Sequence, residues 1–247
     1  MKLRGIRECQ SCETVWSYYE TGSIECPNCG SLRSVGTEAR RKHHTDSPVD
    51  LDLEPILLAV ADDSVETIVD ELGPPLREYT RRRGFISGGK LRPLDSTYLG
   101  AWELRYAVDR IEERTTPGPG EALDEFERLY VLELLRAVNE GDRLPADQVP
   151  DSMHDVRGAA YTDAVSIYRE ELTTWLDEHP DAEARRTLGT LRDYIARANA
   201  LDGAVPIETA ETLRTVTTEI YEYLTAGDES ALASARDRLS RLSSDRV

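Results

Sequence analysis

Beyond residue 50 the hydrophobic positions step by threes and fours almost without interruption. Ala101, Leu104, Val108 and Ile111 form one such series, and Leu188, Leu191, Ile195 and Ala198 a second. Leu213, Val216, Ile220 and Tyr223 form a third, and Leu232, Ala235, Leu239 and Leu242 a fourth. Each lines one face of a helix. Breaks fall at Gly73-Pro74-Pro75, Gly88-Gly89, 115–120, 141–150, Pro180 and 203–206, where proline removes a donor or glycine permits a left-handed turn. Asp95, Pro206 and Asp228 stand where helices should begin. The pattern predicts an irregular bundle of about eight helices, with a candidate boundary between two lobes near 115–120. No fixed repeat period recurs, which argues against a solenoid.

The first 36 residues follow a different rule. Short runs at 3–7, 14–19 and 31–35 hold β-branched or aromatic residues separated by turn formers, which predicts a small β unit. Residues 37–50 are polar, contain Pro48 and read as a linker. The expected class is mainly α: a β unit over 1–36, a linker over 37–50 and an acidic all-helical domain over 51–247.

The β unit carries all four cysteines, as Cys9-Gln10-Ser11-Cys12 and Cys26-Pro27-Asn28-Cys29, separated by 13 residues. Each pair makes a rubredoxin-like knuckle that aims two sulfurs at one centre, and the intervening chain is long enough for a hairpin to bring the pairs together. Four thiolates suit one tetrahedral Zn²⁺ and leave no open position for water, so the expected metal is structural. Iron in an electron-transfer site is the rival, and it is disfavoured because Glu13 follows Cys12 where rubredoxins carry glycine. Two disulfides are the remaining option. A unit this small cannot fold on an apolar core alone, so metal binding should supply its folding energy.

Charge changes the picture next. The 247 residues contain 30 Lys+Arg and 47 Asp+Glu, net −17, and only three of the cations are lysines, Lys2, Lys42 and Lys90. Dense carboxylates with little lysine suit a cytoplasm of molar salt, where self-repulsion is screened. Neither an apolar leader nor a run long enough to span a bilayer is seen, so a cytoplasmic protein without membrane attachment is expected.

Residues 9–30, with Trp16-Ser17-Tyr18-Tyr19 and the stretch Cys26-Pro27-Asn28-Cys29-Gly30-Ser31-Leu32, resemble zinc ribbons of the transcription-factor TFIIB type. With its Arg-rich, acidic composition, the whole chain resembles an uncharacterised haloarchaeal family of TFIIB-type zinc-ribbon-containing proteins. The resemblance implies a zinc ribbon and an archaeal source. It implies no activity for the helical part.

Outside the cysteines, candidate contacts with nucleic acid or a partner are Trp16, Tyr18, Tyr19 and Arg33 on the ribbon, with Arg4 and Arg7 as accompanying phosphate contacts. Alternation places Trp16 and Tyr18 on one face and Tyr19 on the other. A second candidate is the basic cluster of Arg77, Arg81, Arg82, Arg83, Lys90 and Arg92, which also fits cations offsetting a helix end before Gly84. Gly88-Gly89-Lys90 does not complete a phosphate loop, and no nucleotide is expected. His43 and His44 fall in the linker and read as exposed. His154 and His179 have no neighbour at catalytic spacing, and no nucleophile elbow or dinucleotide pattern occurs. The sequence therefore points to a non-enzymatic adaptor that binds an unidentified protein partner. DNA or RNA binding is the alternative, and an enzyme with its active site among the helices the second alternative.

Overall fold

Three short antiparallel strands, ordered β3-β2-β4, carry the cysteine knuckles in a computed structural model that describes residues 1–60, 65–115, 123–200 and 205–244. Strand β2 (Ile6–Cys9) is central: it pairs β3 (Val15–Ser17) with Arg7 opposite Trp16, and β4 (Ser34–Gly36) with Glu8 opposite Val35. Alternation stops at Ser17, because Tyr18–Thr21 forms a helical turn, α1, closed by Gly22 at φ 63°. A second strand pair joins β1 (Lys2–Leu3) to β5 (Lys42–His43). The chain divides into two units: Met1–Asp50 with Arg81–Arg92, and Leu51–Thr80 with Pro93–Val247.

The 37–50 segment is therefore not a free linker. His44 and Asp46 are buried, and the side chains of Glu38, Lys42, Thr45 and Asp46 are paired. His44 is only 3% exposed, and its N–H donates to the Met1 carbonyl at 2.8 Å. The N–H groups of Thr45 and Asp46 both reach the Ile86 carbonyl, at 2.9 and 3.2 Å. Asp46 accepts ion pairs from Arg83 and Arg92, each at 3.0 Å. Ile86 lies in β6 (Ile86–Ser87), which pairs with β7 (Lys90–Leu91) through Gly88 and Gly89 at φ 58° and 83°. Two successive positive φ values define the two-residue hairpin turn whose twist matches the strands, so the glycines read as a helix break are a strand reversal. Gly84 is equally constrained, since a Cβ there would lie 2.4 Å from the Thr45 carbonyl carbon.

Glu38 ties this unit together. Its carboxylate accepts the Gly5 and Ile6 N–H groups at 2.6 and 3.2 Å, the Tyr19 hydroxyl at 2.6 Å and the Lys42 ammonium at 2.8 Å. Burial pushes its pKa up, but Lys42, Tyr19 and the two amides outweigh burial and hold it at about 2.

The second unit is helical, as the periodicity predicts. Among the described residues eight α-helices follow residue 50: α2 (Glu54–Val60), α3 (Val65–Arg82), α4 (Ser96–Thr115), α5 (Glu125–Asn139), α6 (His154–Trp175), α7 (Ala182–Asn199), α8 (Ile207–Ala226) and α9 (Glu229–Ser244). The last two residues of α3 fall in the first unit. The predicted stripes on α4 and α7 are wholly buried, while Tyr223 and Leu242, at the ends of the other two, are half-exposed. Asp95 caps α4 by accepting the Tyr98 N–H at 2.9 Å, and Asp228 accepts the N–H groups of Ser230 and Ala231 at the start of α9. Helix α6 packs against α4, α7 and α8, using Ala160, Ala164, Val165 and Tyr168 on buried faces.

Two sequence expectations change here. Gly73-Pro74-Pro75 does not end a helix, since α3 runs through it. Leu72, Leu76 and Tyr79 are buried on either side of the prolines, and that burial holds the helical path despite two missing donors. The boundary proposed near 115–120 has residues 116–120 outside the described residues.

Glu38 gives a pH-dependent prediction. Its folded pKa lies below the ordinary value of 4.5, so the stability it adds is complete above about pH 4.5 and is lost as pH falls toward about 2. Glu38→Gln should cost the first unit about 1–3 kcal/mol at pH 7 and lose that difference in acid, read by denaturant titration at several pH values. An unchanged midpoint at pH 7 would contradict the role given to Glu38.

Candidate metal centre

The two knuckles are built alike, residue for residue. In the first, the Glu13 N–H donates to the Cys9 carbonyl at 3.0 Å and the Cys9 N–H to the Thr14 carbonyl at 2.9 Å. In the second, the Gly30 N–H donates to the Cys26 carbonyl at 2.9 Å and the Cys26 N–H to the Ser31 carbonyl at 3.0 Å. Each loop must turn left-handed at the residue after its second cysteine. Gly30 does so at φ 69°, and Glu13 at φ 60°, the only non-glycine with positive φ among the described residues. Glu13 thus adopts the conformation for which glycine is the usual residue.

The knuckles bring all four sulfurs within 4.8 Å of one another. Cys9 Sγ lies 3.6 Å from Cys29 Sγ, and Cys12 Sγ 3.6 Å from Cys26 Sγ. Both distances far exceed the disulfide length of about 2.05 Å, and all four cysteines are free. Metal–sulfur bonds of about 2.3 Å in a tetrahedron place the sulfurs about 3.8 Å apart, so the observed spacing fits a metal ion. Cys9 and Cys26 are buried and pack with Trp16, while Cys29 is exposed.

The sulfurs differ in charge preference. The Ser11 N–H, 3.4 Å from Cys9 Sγ, lowers the Cys9 pKa. The Thr14 hydroxyl, 3.2 Å from Cys12 Sγ, is the main group holding that thiol down to about 6. At Cys29 the Ser31 N–H pulls downward, but hydrogen bonds with the neighbouring thiols and burial push the pKa up to about 12. Four sulfurs gathered at this range are a donor set that fits a metal ion.

The aromatic candidates prove structural. Trp16 is 7% exposed, and its indole Nε1 donates to the Ser23 carbonyl at 3.0 Å. Tyr19 is fixed by its hydroxyl, which donates to Glu38 and accepts the Gly5 N–H at 3.0 Å. A Cβ at Gly5 would meet the Tyr19 ring at 2.3 Å. Tyr18 and Tyr19 both meet His44 edge to face, with ring centroids 5.9 and 5.1 Å away, so the helical turn gathers rings that alternation would separate. His44, read as exposed, is a packing residue, and desolvation lowers its pKa.

The basic cluster is dispersed. Arg77 faces Asp109 at 3.6 Å in the helical unit, whereas Arg81, Arg82 and Arg83 belong to the first unit. Arg83 is committed to Asp46, and Arg82 donates to the Pro48 carbonyl at 3.0 Å. Arg33 and Arg81 are exposed. Sequence reasoning missed Glu38, His44, Asp46 and the 86–91 hairpin. Only the hairpin had a local signal, two glycines between short apolar pairs. The others acquire their roles from segments far away in sequence.

The helical unit holds a buried polar network of its own. Arg157, fully buried, donates from Nε to Glu103 at 2.8 Å, from Nη2 to the Leu144 carbonyl at 3.0 Å and from Nη1 to Glu211 at 3.2 Å. Glu211 also accepts from Arg143 at 2.8 Å, and the Tyr130 hydroxyl donates to Glu103. Replacing Arg157 with Met should cost about 3–5 kcal/mol, because Glu103 would stay buried without its partner. A thermal midpoint within a few degrees of the parent would contradict this.

Fold and site together define a small β unit with a four-cysteine cluster suited to a metal ion, joined in one chain to a helical bundle. Residues 1–239 match the family of unknown function DUF7117, and the chain belongs to that family. No curated protein and no solved structure matches it. Among the described residues no helix is long and apolar enough to cross a membrane.

The matched knuckles give a further prediction. Glu13→Gly should stabilise the first unit by about 1 kcal/mol and Gly30→Ala should destabilise it by a similar amount, because the left-handed residue carries that strain. Equal midpoints for both variants and the parent, in denaturant with metal present, would contradict the symmetry of the two loops.

Proposed function

We propose that this protein is a non-enzymatic zinc-ribbon adaptor, in which a metal-closed recognition unit and an acidic helical unit engage different macromolecules. One structural Zn²⁺ is held by Cys9, Cys12, Cys26 and Cys29, where it cross-links the knuckles and offers no open coordination position. The observation that carries the reading is the division of charge. The first unit holds 12 Lys+Arg, including all three lysines, against seven Asp+Glu, net +5; the helical unit holds 18 against 40, net −22. A helical unit so acidic suits molar salt in an archaeal cytoplasm, and the ribbon is of the TFIIB type.

The helical unit is assigned the protein partner. Phe126 and Leu129, one turn apart on α5, are 74% and 49% exposed, and Leu58 on α2 is also exposed. Large apolar side chains at such spacing form a docking stripe for another protein. The enzyme alternative would place its site in an open groove that includes Asp151, His154, Glu208, Glu211 and Arg214. Of these, Asp151, His154, Glu211 and Arg214 are engaged with charged neighbours or with backbone. Glu211 holds Arg143, Arg157 and Arg214, and His154 Nε2 lies 3.2 Å from the Val149 carbonyl.

Metal analysis of the purified full chain should find one zinc per chain and no iron–thiolate colour; an iron centre with reversible one-electron chemistry would overturn the structural assignment. Phe126→Glu with Leu129→Glu should leave the fold intact and remove the proteins that the parent retains through its helical unit. Undiminished retention would contradict the role of α5.

A further inference from the structure

An open cleft in the first unit is lined by Lys2, Arg4, Arg7 and Arg41, with Leu3 and Val35 as its apolar side chains. Four lining groups are cationic and none is a carboxylate, in a chain whose acids outnumber its bases 47 to 30. Arg4 and Arg41 are exposed. Arg7 is held: Nε donates to Ser34 Oγ at 2.9 Å and Nη2 to the Ser34 carbonyl at 3.1 Å, which fixes the guanidinium plane and leaves Nη1 for a ligand. Among the described residues no carboxylate lies within ion-pair distance of Arg4, Arg7 or Arg41. The cleft also depends on glycine. A Cβ at Gly36 would lie 2.6 Å from the Arg4 Cβ, so only glycine on β4 lets Arg4 cross it.

We propose that this cleft binds the sugar–phosphate backbone of a nucleic acid. Unpaired arginines around one fixed guanidinium suit several phosphates, because each fork can donate two parallel hydrogen bonds to one phosphate. Leu3 and the 44% exposed Val35 offer apolar surface for sugars or bases. The cleft is separate from the aromatic residues expected to stack on bases, since Trp16 and Tyr19 are occupied within the fold. Recognition is through the backbone and is indifferent to sequence. This inference rests on the adaptor reading, of which it names the partner of the metal-closed unit.

The test is fluorescence anisotropy of the metal-loaded full chain with labelled single-stranded RNA, single-stranded DNA and duplex DNA of about 20 nucleotides, from ~0.1 to ~1 M KCl. Three or four phosphate contacts predict a slope of about −3 in log K against log salt. Arg4→Glu with Arg41→Glu should weaken binding at least tenfold at the lowest salt and reduce that slope by about 2. The charge-matched control, Arg186→Glu with Arg192→Glu on the exposed face of α7, should change affinity less than threefold. Equal losses in the two variants, no binding by the folded parent, or preference for a multiply phosphorylated peptide would each overturn the proposal. Metal content is read on the same samples. An iron-loaded chain that binds through the cleft would refute the adaptor reading and keep the cleft; a one-zinc chain indifferent to nucleic acid would do the reverse.

Discussion

Everything in the first unit depends on four sulfurs being held together by something other than apolar burial. Trp16 packs against the sulfurs, Phe85, Ile86 and Leu91 are buried elsewhere in the unit, and its strands are two to four residues long. Sheets of that size are not stable by themselves. With the proposed zinc in place, one ion bonded to both knuckles would cross-link them and fix where β2 and β4 run. Glu38 then fastens β1, α1 and β5 to that sheet, and Asp46 fastens the 86–91 hairpin. Removing the centre removes the frame on which these polar contacts are assembled.

The same frame concentrates positive charge. Arg4 and Arg7 lie three residues apart at the entry to β2 and Arg41 just before β5, and they share a cleft because β1 pairs with β5, β2 pairs with β4 and Gly36 admits Arg4. The helical unit follows the opposite logic. It is built from long amphipathic stripes, closes over a buried Arg157–Glu103 pair, and carries nearly all the negative charge on its surface. One chain thus holds a cationic unit built around a four-cysteine cluster and an acidic unit stabilised by hydrophobic packing.

How much of this was legible depended on how local each signal was. The Cys-x2-Cys pairs and the threes-and-fours stripes are local patterns, and they yielded the sulfur cluster and the eight helices that follow residue 50. The 37–50 segment misled because polar composition usually means solvation, whereas here Glu38, His44 and Asp46 find partners 4 to 46 residues away. Gly73-Pro74-Pro75 misled because local propensity was overridden by Leu72, Leu76 and Tyr79. The basic cluster at 77–92 was visible as charge, but its division between two units is a property of the fold. The cationic cleft was partly legible, since Lys2, Arg4 and Arg7 fall within six residues of one another and Arg4 and Arg7 were candidate phosphate contacts, whereas Arg41 joins them only through the fold.

The most direct test of the central claim is hydrogen exchange, followed by mass spectrometry, on the full chain before and after metal removal with a chelator. The account predicts that peptides from 1–50 and from 81–92 lose protection together, while α6 and α8 keep theirs. If 37–50 and 81–92 stayed protected after the knuckles had opened, the metal would not be what holds the first unit together.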